Sequence, residues 1–436
     1  MALPLWFTTL LRSGLRKVRR VRNAARMWQR RIADRDADKP LVIVLSLDRL
    51  GASHEVARQA LLKGFRVHVF SPTFPVLDAA YAHGWSRIDS RTDFDAALTI
   101  ARKLKPVAIL LESKNLLLPM QNHLANALGL RSIGDKAVET SNSKIALRRS
   151  LDAENVPSVP WVPLEDFTPQ SDFRFPGVIK PDLGTSSKGV RFVAGPDDLT
   201  KDGGAWADRA LKDPSVGDRM LLEGFVKGRQ FDLEGVAIDG EYRLLCIVEE
   251  FYEASPPYFP PSWFHFNPPI PDADRESLWS MTQSALKALG VQNGGWHLEQ
   301  RLDATGTSRA VDYANRMGYN HLISAASGVS FAGTYVDLMT GRRTTPEALA
   351  PRSLLQIFAF DDDTLKRMRQ FAMDHPENIH SKSFYSYDFA YHLYLGYLVV
   401  TFGSFEEQHR LLAEYGLEPK EFASFYPESM PKSMAV

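Results

Sequence analysis

Two acidic side chains are spaced so that a single hairpin would bring them together. Glu299 precedes, and Asp312 follows, the turn-like stretch Asp303–Thr307. An antiparallel hairpin centred near Thr305 places the two carboxylates opposite each other, with Cβ atoms about 5 Å apart. Opposed carboxylates repel unless a cation lies between them, and magnesium commonly takes one or two carboxylates together with substrate phosphates. The spacing therefore predicts a magnesium site on one face of this hairpin.

Strand alternation places three further side chains on the same face, those of His297, Ala314 and Arg316. The alternative is a solvated face on which Arg301 and Arg316 neutralise the two acids, because exposed charge pairs are common. The hairpin by itself leaves both interpretations open.

Two other segments have compositions that suit a nucleotide. The strand-like residues 177–181 contain Lys180 and run into the loop Gly184–Val190, which is made of small residues between two glycines. Such a loop lets backbone N–H groups approach phosphate oxygens, although a hairpin turn has the same composition. The apolar stretch Met220–Gly228 breaks at Glu-Gly-Phe-Val. It can present backbone groups to a flat heterocycle, or it can be an edge strand that enters a turn.

The residues before these segments predict a parallel α/β sheet. Apolar strand patterns alternate with helical patterns, which is typical of βαβ units. The predicted strands are Leu41–Leu47, Arg66–Phe70 and Val107–Leu111, and the predicted helices are Ser53–Lys63 and Ala96–Leu104. The turn after the first strand lacks the Gly-x-Gly-x-x-Gly pattern, which argues against a dinucleotide site there.

The composition is that of a globular protein with more than one lobe. The chain has 436 residues, which is longer than a single hydrophobic core usually supports. Its composition, 44% hydrophobic and 24% charged, excludes the disordered, collagen-like and disulfide-rich classes of protein. Lys plus Arg and Asp plus Glu number 52 each, so the net charge gives no reason to expect a nucleic-acid partner. The single cysteine, Cys246, allows no internal disulfide, which fits a reducing cytoplasm.

The first 38 residues predict a basic amphipathic arm. Residues 1–33 carry nine basic side chains and no acidic one, with apolar residues at helical spacing. The arm either packs on its own protein or on a second subunit of a homodimer, or it lies on an anionic membrane surface. No apolar run approaches the roughly 18–20 residues that a membrane span needs. We therefore expect a cytoplasmic protein, free or membrane-associated through this arm.

Together, these segments resemble the ATP-grasp superfamily, and within it the carboxylate–amine ligases such as L-amino acid ligases. The six matching segments are Ser143-Lys144, Val178–Pro181, Gly184–Gly189, Leu222–Gly228, His297–Glu299 and Val311–Arg316. The resemblance implies an α/β protein with an ATP-grasp fold, a preceding parallel α/β domain and a mobile lid. The last residues read mainly as helices. The expected domains are 1–38, 39–136, 137–343 with a lid at about 142–215, and a helical extension at 344–436.

The resemblance also implies ATP and Mg²⁺ as cofactors and assigns roles to residues. The expected nucleotide-binding residues are Lys144, Lys180, Ser186, Ser187, Gly189, Glu223, Phe225, Val226 and Gln230. The lysines and the loop would hold phosphates, and the residues from 223 to 226 would line the adenine pocket. Glu299 and Asp312 would bind magnesium. Arg316 would stabilise the acceptor carboxylate and the phosphoryl group, and His297 would act as a base or shape the pocket.

The implied activity is an ATP-dependent ligation. A small carboxylic acid is phosphorylated to an acyl phosphate, from which an amine or amino acid displaces phosphate to form an amide. This chain departs from the family pattern at Ala314, where a metal ligand is usual, and at Gln230, where an acid is usual. Two alternatives therefore stay open: a nucleotide-binding module that has lost catalysis, and an ATP-grasp enzyme that phosphorylates or carboxylates a small molecule.

One segment has no counterpart in the resemblance. Residues Tyr252–Pro271 contain seven prolines among many aromatic side chains. Because prolines stiffen a loop and aromatic rings form apolar walls, the segment predicts recognition of an apolar or aromatic substrate. A covering loop that packs on the core is the alternative.

Overall fold

The computed structural model describes residues 37–47, 53–75, 78–112, 114–168, 172–184, 189–200, 219–252, 261–318, 320–342, 354–384, 387–389 and 392–417. Residues 1–36 of the predicted basic arm, on which its expected subunit or membrane contact depends, lie outside the described residues, as do the loop residues Ser186 and Ser187. The chain divides into two compact units. Unit 1 comprises residues 1–133 and 332–345, and unit 2 comprises residues 134–331 and 346–436.

Unit 1 is built on a parallel sheet. Its described strands are β1 (Leu41–Leu45), β2 (Arg66–Ser71), β3 (Gly84–Arg87) and β4 (Ala108–Leu110), in the order β3-β2-β1-β4. Its helices are α1 (His54–Leu62), α2 (Phe94–Leu104) and α3 (Leu118–Ala127). Every residue of β1 is buried, which is why this strand reads as a continuous apolar run. The predicted βαβ pattern is confirmed, whereas β3 and α3 were not predicted.

Unit 2 begins with two helices and a small antiparallel sheet. The helices are α4 (Asp135–Asn142) and α5 (Lys144–Ala153), and the short helix α6 (Asp197–Thr200) follows later. The strands are β5 (Trp161–Pro163), β6 (Gly177–Pro181), β7 (Arg191–Val193) and β8 (Met220–Gly224), in the order β5-β8-β6-β7. Ser143 caps α5 by accepting a hydrogen bond from the N–H of Ala146, so the chain turns from α4 into α5 at Lys144.

The rest of unit 2 is built on a large sheet, together with helices and a separate two-stranded hairpin. The described strands of the large sheet are ordered β13-β12-β9-β10-β11-β14-β18-β15. The first group is β9 (Arg229–Ile238), β10 (Glu241–Tyr252), β11 (Pro261–Phe266), helix α7 (Asp272–Ala288), β12 (Gly294–Leu302), β13 (Ser308–Ala314) and helix α8 (Asn320–Ser327). Helix α9 (Phe331–Met339) comes next, and its residues from 332 onward belong to unit 1. The second group is β14 (Leu354–Ala359), helix α10 (Asp362–Asp374), β15 (Ile379–Ser383), the hairpin β16 (Tyr387–Phe389) and β17 (His392–Tyr394), β18 (Gly396–Thr401) and helix α11 (Phe405–Glu414).

The two faces of strands β9 and β12 differ in chemistry. Because successive side chains on a strand point to opposite faces, one face is apolar and packs in a core with helix α7. The apolar face is formed by Phe231, Leu233, Trp296 and Leu298. The opposite face carries Gln230, Asp232, Glu234, His297, Glu299 and Arg301. Helix α7 therefore packs on the apolar face of the sheet, and the polar face is not covered by this helix.

The predicted hairpin is confirmed. Strands β12 and β13 are antiparallel, and Glu299 pairs directly with Asp312. The turn closes with a hydrogen bond from the N–H of Asp303 to the carbonyl of Thr307. The register shifts by one residue just beyond the pair, so Gln300 pairs with Ala310, which is a β-bulge at Val311.

The prediction that residues 344–436 are mainly helical is wrong. The described part contains strands β14 to β18 as well as helices α10 and α11, and β14, β18 and β15 extend the large sheet. Short apolar runs such as Leu354–Ala359 and Gly396–Thr401 cannot be assigned to strand or helix by periodicity alone, because their partners are distant in sequence.

The aromatic segment was also interpreted wrongly as a loop over its second half. Residues Pro261–Phe266 form β11, which pairs with β10 on one side and β14 on the other. Trp263, Phe264 and Phe266 are buried, and the ring of Phe264 meets that of Phe358 edge-to-face at 5.4 Å. The described aromatic side chains therefore pack within the protein, and residues 253–260 lie outside the described residues.

The replacement Gly235→Ala tests the packing of β9 against β12. A Cβ atom at position 235 would lie 2.1 Å from the carbonyl oxygen of Arg243 and 2.3 Å from the Trp296 ring. Backbone must therefore move, and overpacking of this kind costs about 1–3 kcal/mol. We expect urea denaturation followed by tryptophan fluorescence to show this loss. Gly195→Ala is the control, because a Cβ there has nothing within 4 Å; equal stability of the two variants would contradict the packing.

Candidate active site

Three carboxylates lie in a row across the polar face of the large sheet. Asp232 on β9 pairs with Glu299 on β12, which pairs in turn with Asp312 on β13. Directly opposed residues have Cβ atoms about 4.5–5.5 Å apart. Asp232 is fully buried, whereas the side chains of Glu299 and Asp312 are 27% and 29% exposed. The row therefore runs from a dry end to an end that a substrate can reach.

Lys144, at the start of α5, neutralises the open end of the row. Its Nζ lies 3.5 Å from Oδ2 of Asp312 and donates to the carbonyl of Gly184 at 3.2 Å. Burial would raise the pKa of Asp312, but the ammonium groups of Lys144 and Lys180 hold it below its usual value. Asp312 is therefore an anion at neutral pH, as a metal ligand must be.

Lys180 is held by a buried ion cluster. Its Nζ donates to Oε2 of Glu223 at 2.9 Å, and Arg148 donates to Oε1 of the same carboxylate from Nε and Nη2, both at 2.7 Å. Burial works against the charge of Glu223, yet Arg148 and Lys180 lower its pKa. The carboxylate of Glu223 is thus occupied by two cations.

Arg148 also joins the small sheet to the hairpin of β12 and β13. Its side chain is fully buried, and it donates to the carbonyl oxygens of Ala310, at 3.1 Å, and Val311. These carbonyls belong to the bulge directly before Asp312. A single guanidinium therefore fixes both the partner of Lys180 and the backbone that positions Asp312.

Arg301 and Gln230 form a second polar network beside Glu299. Arg301 donates to the carbonyl of Val226 at 3.0 Å, lies over the Phe225 ring at 4.7 Å, and donates to Oε1 of Gln230 at 3.1 Å. The amide nitrogen of Gln230 contacts Glu299 Oε2 at 3.3 Å. The strand end 225–226 is thereby tied to β12.

Two acceptors beyond Glu299 complete this network. The amide nitrogen of Gln230 donates to Glu250 Oε2 at 3.0 Å and to the Tyr252 hydroxyl at 2.7 Å. With the amide already engaged, Gln230 cannot approach a ribose without breaking these contacts.

His297 lies between two carboxylates. Its Nδ1 is 2.9 Å from Glu234 Oε1 and its Nε2 is 3.4 Å from Glu299 Oε1. Burial would lower the pKa of His297, but Glu234 and Glu299 raise it to about 10. Glu234 also accepts the N–H of Gly318 at 3.0 Å. This geometry favours the pocket-shaping role of His297 over the role of a base, because the ring is held in its charged form.

The end of β13 shows where the side chains of the last motif lie, including Ala314, at which the chain departs from the family pattern. Ala314 pairs with His297 and offers no ligand. Asn315 points to the other side, where Nδ2 donates to the carbonyls of Asn293 and Gly295 at 3.2 and 2.7 Å. Arg316 donates to the Met317 carbonyl at 3.1 Å. The third carboxylate of the row is therefore Asp232 from β9, not a residue of the last motif.

Asp232, Glu234, Glu250, Arg148 and Arg301 were not among the predicted site residues. A usable signal existed in Gln230-Phe-Asp-Leu-Glu234, where polar and apolar residues alternate. That pattern predicts a strand with one polar face. It does not show which strand lies beside it, and the pairing with β12 supplies that information.

Comparisons with known proteins identify the fold that carries these residues. A family model for the ATP-grasp domain matches residues 173–320, which include β6 to β13. The chain contains an ATP-grasp domain. No curated protein sequence matches the chain.

Solved structures extend the likeness of this ATP-grasp protein beyond that domain. L-amino acid ligase from Bacillus licheniformis has a TM-score of 0.67 at 18% identity, over 87% of this chain and 97% of that one. N5-carboxyaminoimidazole synthase from Aspergillus clavatus has a TM-score of 0.66 at 16% identity, over 87% and 98%. Phosphoribosylglycinamide synthetase from Anaerococcus prevotii has a TM-score of 0.61 at 12% identity, over 87% and 98%. At such identities the likeness establishes the fold. None of the described helices is long and apolar enough to span a bilayer.

Replacement of Arg148 tests its role as the link between Lys180 and Asp312. Arg148→Met leaves a buried carboxylate with one cation and frees two carbonyls, which we expect to cost about 3–5 kcal/mol. Arg148→Lys keeps the charge but removes the forked guanidinium, so we expect the free energy of unfolding to fall by about 1–2 kcal/mol through lost hydrogen bonds. Urea denaturation measures both. Arg219→Met, which removes an exposed pair with Glu165, should leave the midpoint unchanged; an equally small effect of Arg148→Met would show that Arg148 is not such a link.

Proposed function

We propose that the protein is an ATP-dependent carboxylate–amine ligase that forms an amide through an acyl phosphate and releases ADP and phosphate. The observation that carries the proposal is the pairing of Glu299 with Asp312, with Lys144 beside it and Lys180 within range of the charge of Asp312. Carboxylates that face each other beside two lysines suit a magnesium–triphosphate group.

The donor set fits magnesium. Glu299 and Asp312 offer carboxylate oxygens on one partly exposed face, and magnesium prefers oxygen ligands and keeps several waters or phosphate oxygens. When bound, the ion supplies positive charge to the transferring phosphoryl group. Nucleotide-binding roles are proposed for Lys144, Lys180, Ser186, Ser187, Gly189, Glu223, Phe225, Val226 and Gln230. For Glu223 the proposed contact is through its backbone, because its carboxylate already binds two cations.

Each step of the reaction has a proposed residue. A carboxylate oxygen of the acid attacks the γ-phosphorus of ATP, which gives the acyl phosphate and ADP, while Lys144 and Lys180 balance the charge. The neutral amine nitrogen then attacks the acyl carbon, phosphate leaves, and the nitrogen loses one proton to solvent as the amide forms. Arg316 faces the negative charge of the tetrahedral intermediate. His297 orients Glu299 and shapes the pocket.

The substrates are proposed to be small molecules, an acid and an amine or amino acid, in line with the structural similarity to the L-amino acid ligase from Bacillus licheniformis. Loss of catalysis is the less supported alternative. Both lysines and both paired carboxylates are present, and Asp232 adds a further acid where Ala314 removes a ligand.

A phosphate-release screen with ATP, magnesium, pooled amino acids and small acids tests the proposal. We expect release that requires both an acid and an amine. Lys180→Ala and Glu299→Ala should lower it about 10²–10³-fold, since each removes charge that stabilises the transition state. Lys366→Ala and Glu406→Ala are matched controls on exposed positions of α10 and α11. Release that needs no amine, or that survives in Lys180→Ala and Glu299→Ala, would contradict the ligase.

A further inference from the structure

Asp232 lies among other acids, and its side chain is hydrogen-bonded to that of Glu250. It is fully buried. One cationic neighbour is His297, whose Nδ1 lies 3.9 Å from Oδ2 of Asp232. Burying several acids together is unfavourable because each negative charge disfavours the others, so a positive partner would stabilise this cluster.

The surroundings of Asp232 have the dimensions of a metal site. One ligand atom each from Asp232, His297 and Glu299 lies within 4.8 Å of the other two. A cation bound at about 2.0–2.4 Å can bridge ligand atoms up to twice that distance apart. The spacing therefore allows one ion to contact all three side chains with small side-chain movements.

Glu234 provides the support that metal-binding histidines usually have. It contacts one ring nitrogen of His297 at 2.9 Å and is itself fixed by the N–H of Gly318. A histidine that ligates a metal usually donates its other ring N–H to a carboxylate, which sets the orientation of the ring. The second ring nitrogen of His297 faces Glu299 at 3.4 Å.

We propose that Asp232, His297 and Glu299 form a site for a divalent transition metal such as Mn²⁺, next to the proposed magnesium site and sharing Glu299 with it. An imidazole among carboxylates favours a transition metal over magnesium, which prefers oxygen ligands only.

The ion would replace the counter-charge that the imidazolium of His297 provides between Glu234 and Glu299. When it binds, the nitrogen that becomes the ligand gives its proton to solvent, and the ion takes the vacated lone pair. A bound ion would hold Glu299 in one orientation towards Asp312. This site depends on the proposed function only through Glu299, so it can exist in a protein that makes no amide.

Mn²⁺ titration of the full chain without nucleotide, followed by electron paramagnetic resonance, tests the site. We expect one Mn²⁺ per chain that excess Mg²⁺ does not displace, with nitrogen-14 coupling in pulsed spectra. Asp232→Asn should weaken binding about 100-fold, and Glu234→Gln about 10- to 100-fold, since supporting carboxylates typically matter to that extent. Asp239→Asn, in the β9–β10 turn of the same sheet, is the matched control and should bind like the wild type.

Two results would overturn the proposal. One is the absence of any Mn²⁺ bound without nucleotide. The other is bound Mn²⁺ without nitrogen coupling in the wild type, a measurement that does not require any variant to fold. Asp312→Asn separates this proposal from the ligase, because it should retain nucleotide-free Mn²⁺ while losing ATP-dependent turnover.

Discussion

Carboxylates on one face of the large sheet repel one another, and the other charged residues of the site are arranged to balance this repulsion. Strand pairing places Asp232, Glu299 and Asp312 in a row, and the apolar face behind them is packed against helix α7, so the acids cannot move apart without breaking a core. Positively charged side chains must therefore lie close to these acids to balance their charge. Lys144 supplies it at the open end and His297 supplies it between the strands.

Three cations of the site come from elements outside the large sheet, which links the small sheet to the large one. Lys144 begins helix α5, Lys180 lies in strand β6, and Arg148 reaches from α5 to the carbonyls of the β13 bulge. Any conformational change that repositions the small sheet would therefore alter the charge at the proposed magnesium ligands. Binding of a polyanion to the lysines and of a cation to the acids would then be mutually favourable, since each reduces an unbalanced charge.

The chemistry of the hairpin could be predicted from the sequence because it is local. Glu299 and Asp312 are only thirteen positions apart, with a turn-like composition between them. The turn and the two-residue period of the strands therefore predict which residues face each other. The βαβ pattern of unit 1 is equally local. Asp232 could not be assigned to the site in this way, because it lies 67 positions before Glu299 and only the pairing of β9 with β12 brings it there. The same limit explains the C-terminal strands, whose sheet partners are far away in the chain. Arg148 carries no motif that separates it from other helical arginines until its buried partners are known.

The most direct test of an acyl-phosphate ligase is the transfer of oxygen from the acid to phosphate. With an acid labelled with oxygen-18 in its carboxylate, mass spectrometry of the released phosphate should show one labelled oxygen per turnover, with ADP as the other product. This follows because the carboxylate oxygen that attacks the γ-phosphorus stays with phosphate when the amine displaces it. Unlabelled phosphate, or formation of AMP in place of ADP, would contradict the account.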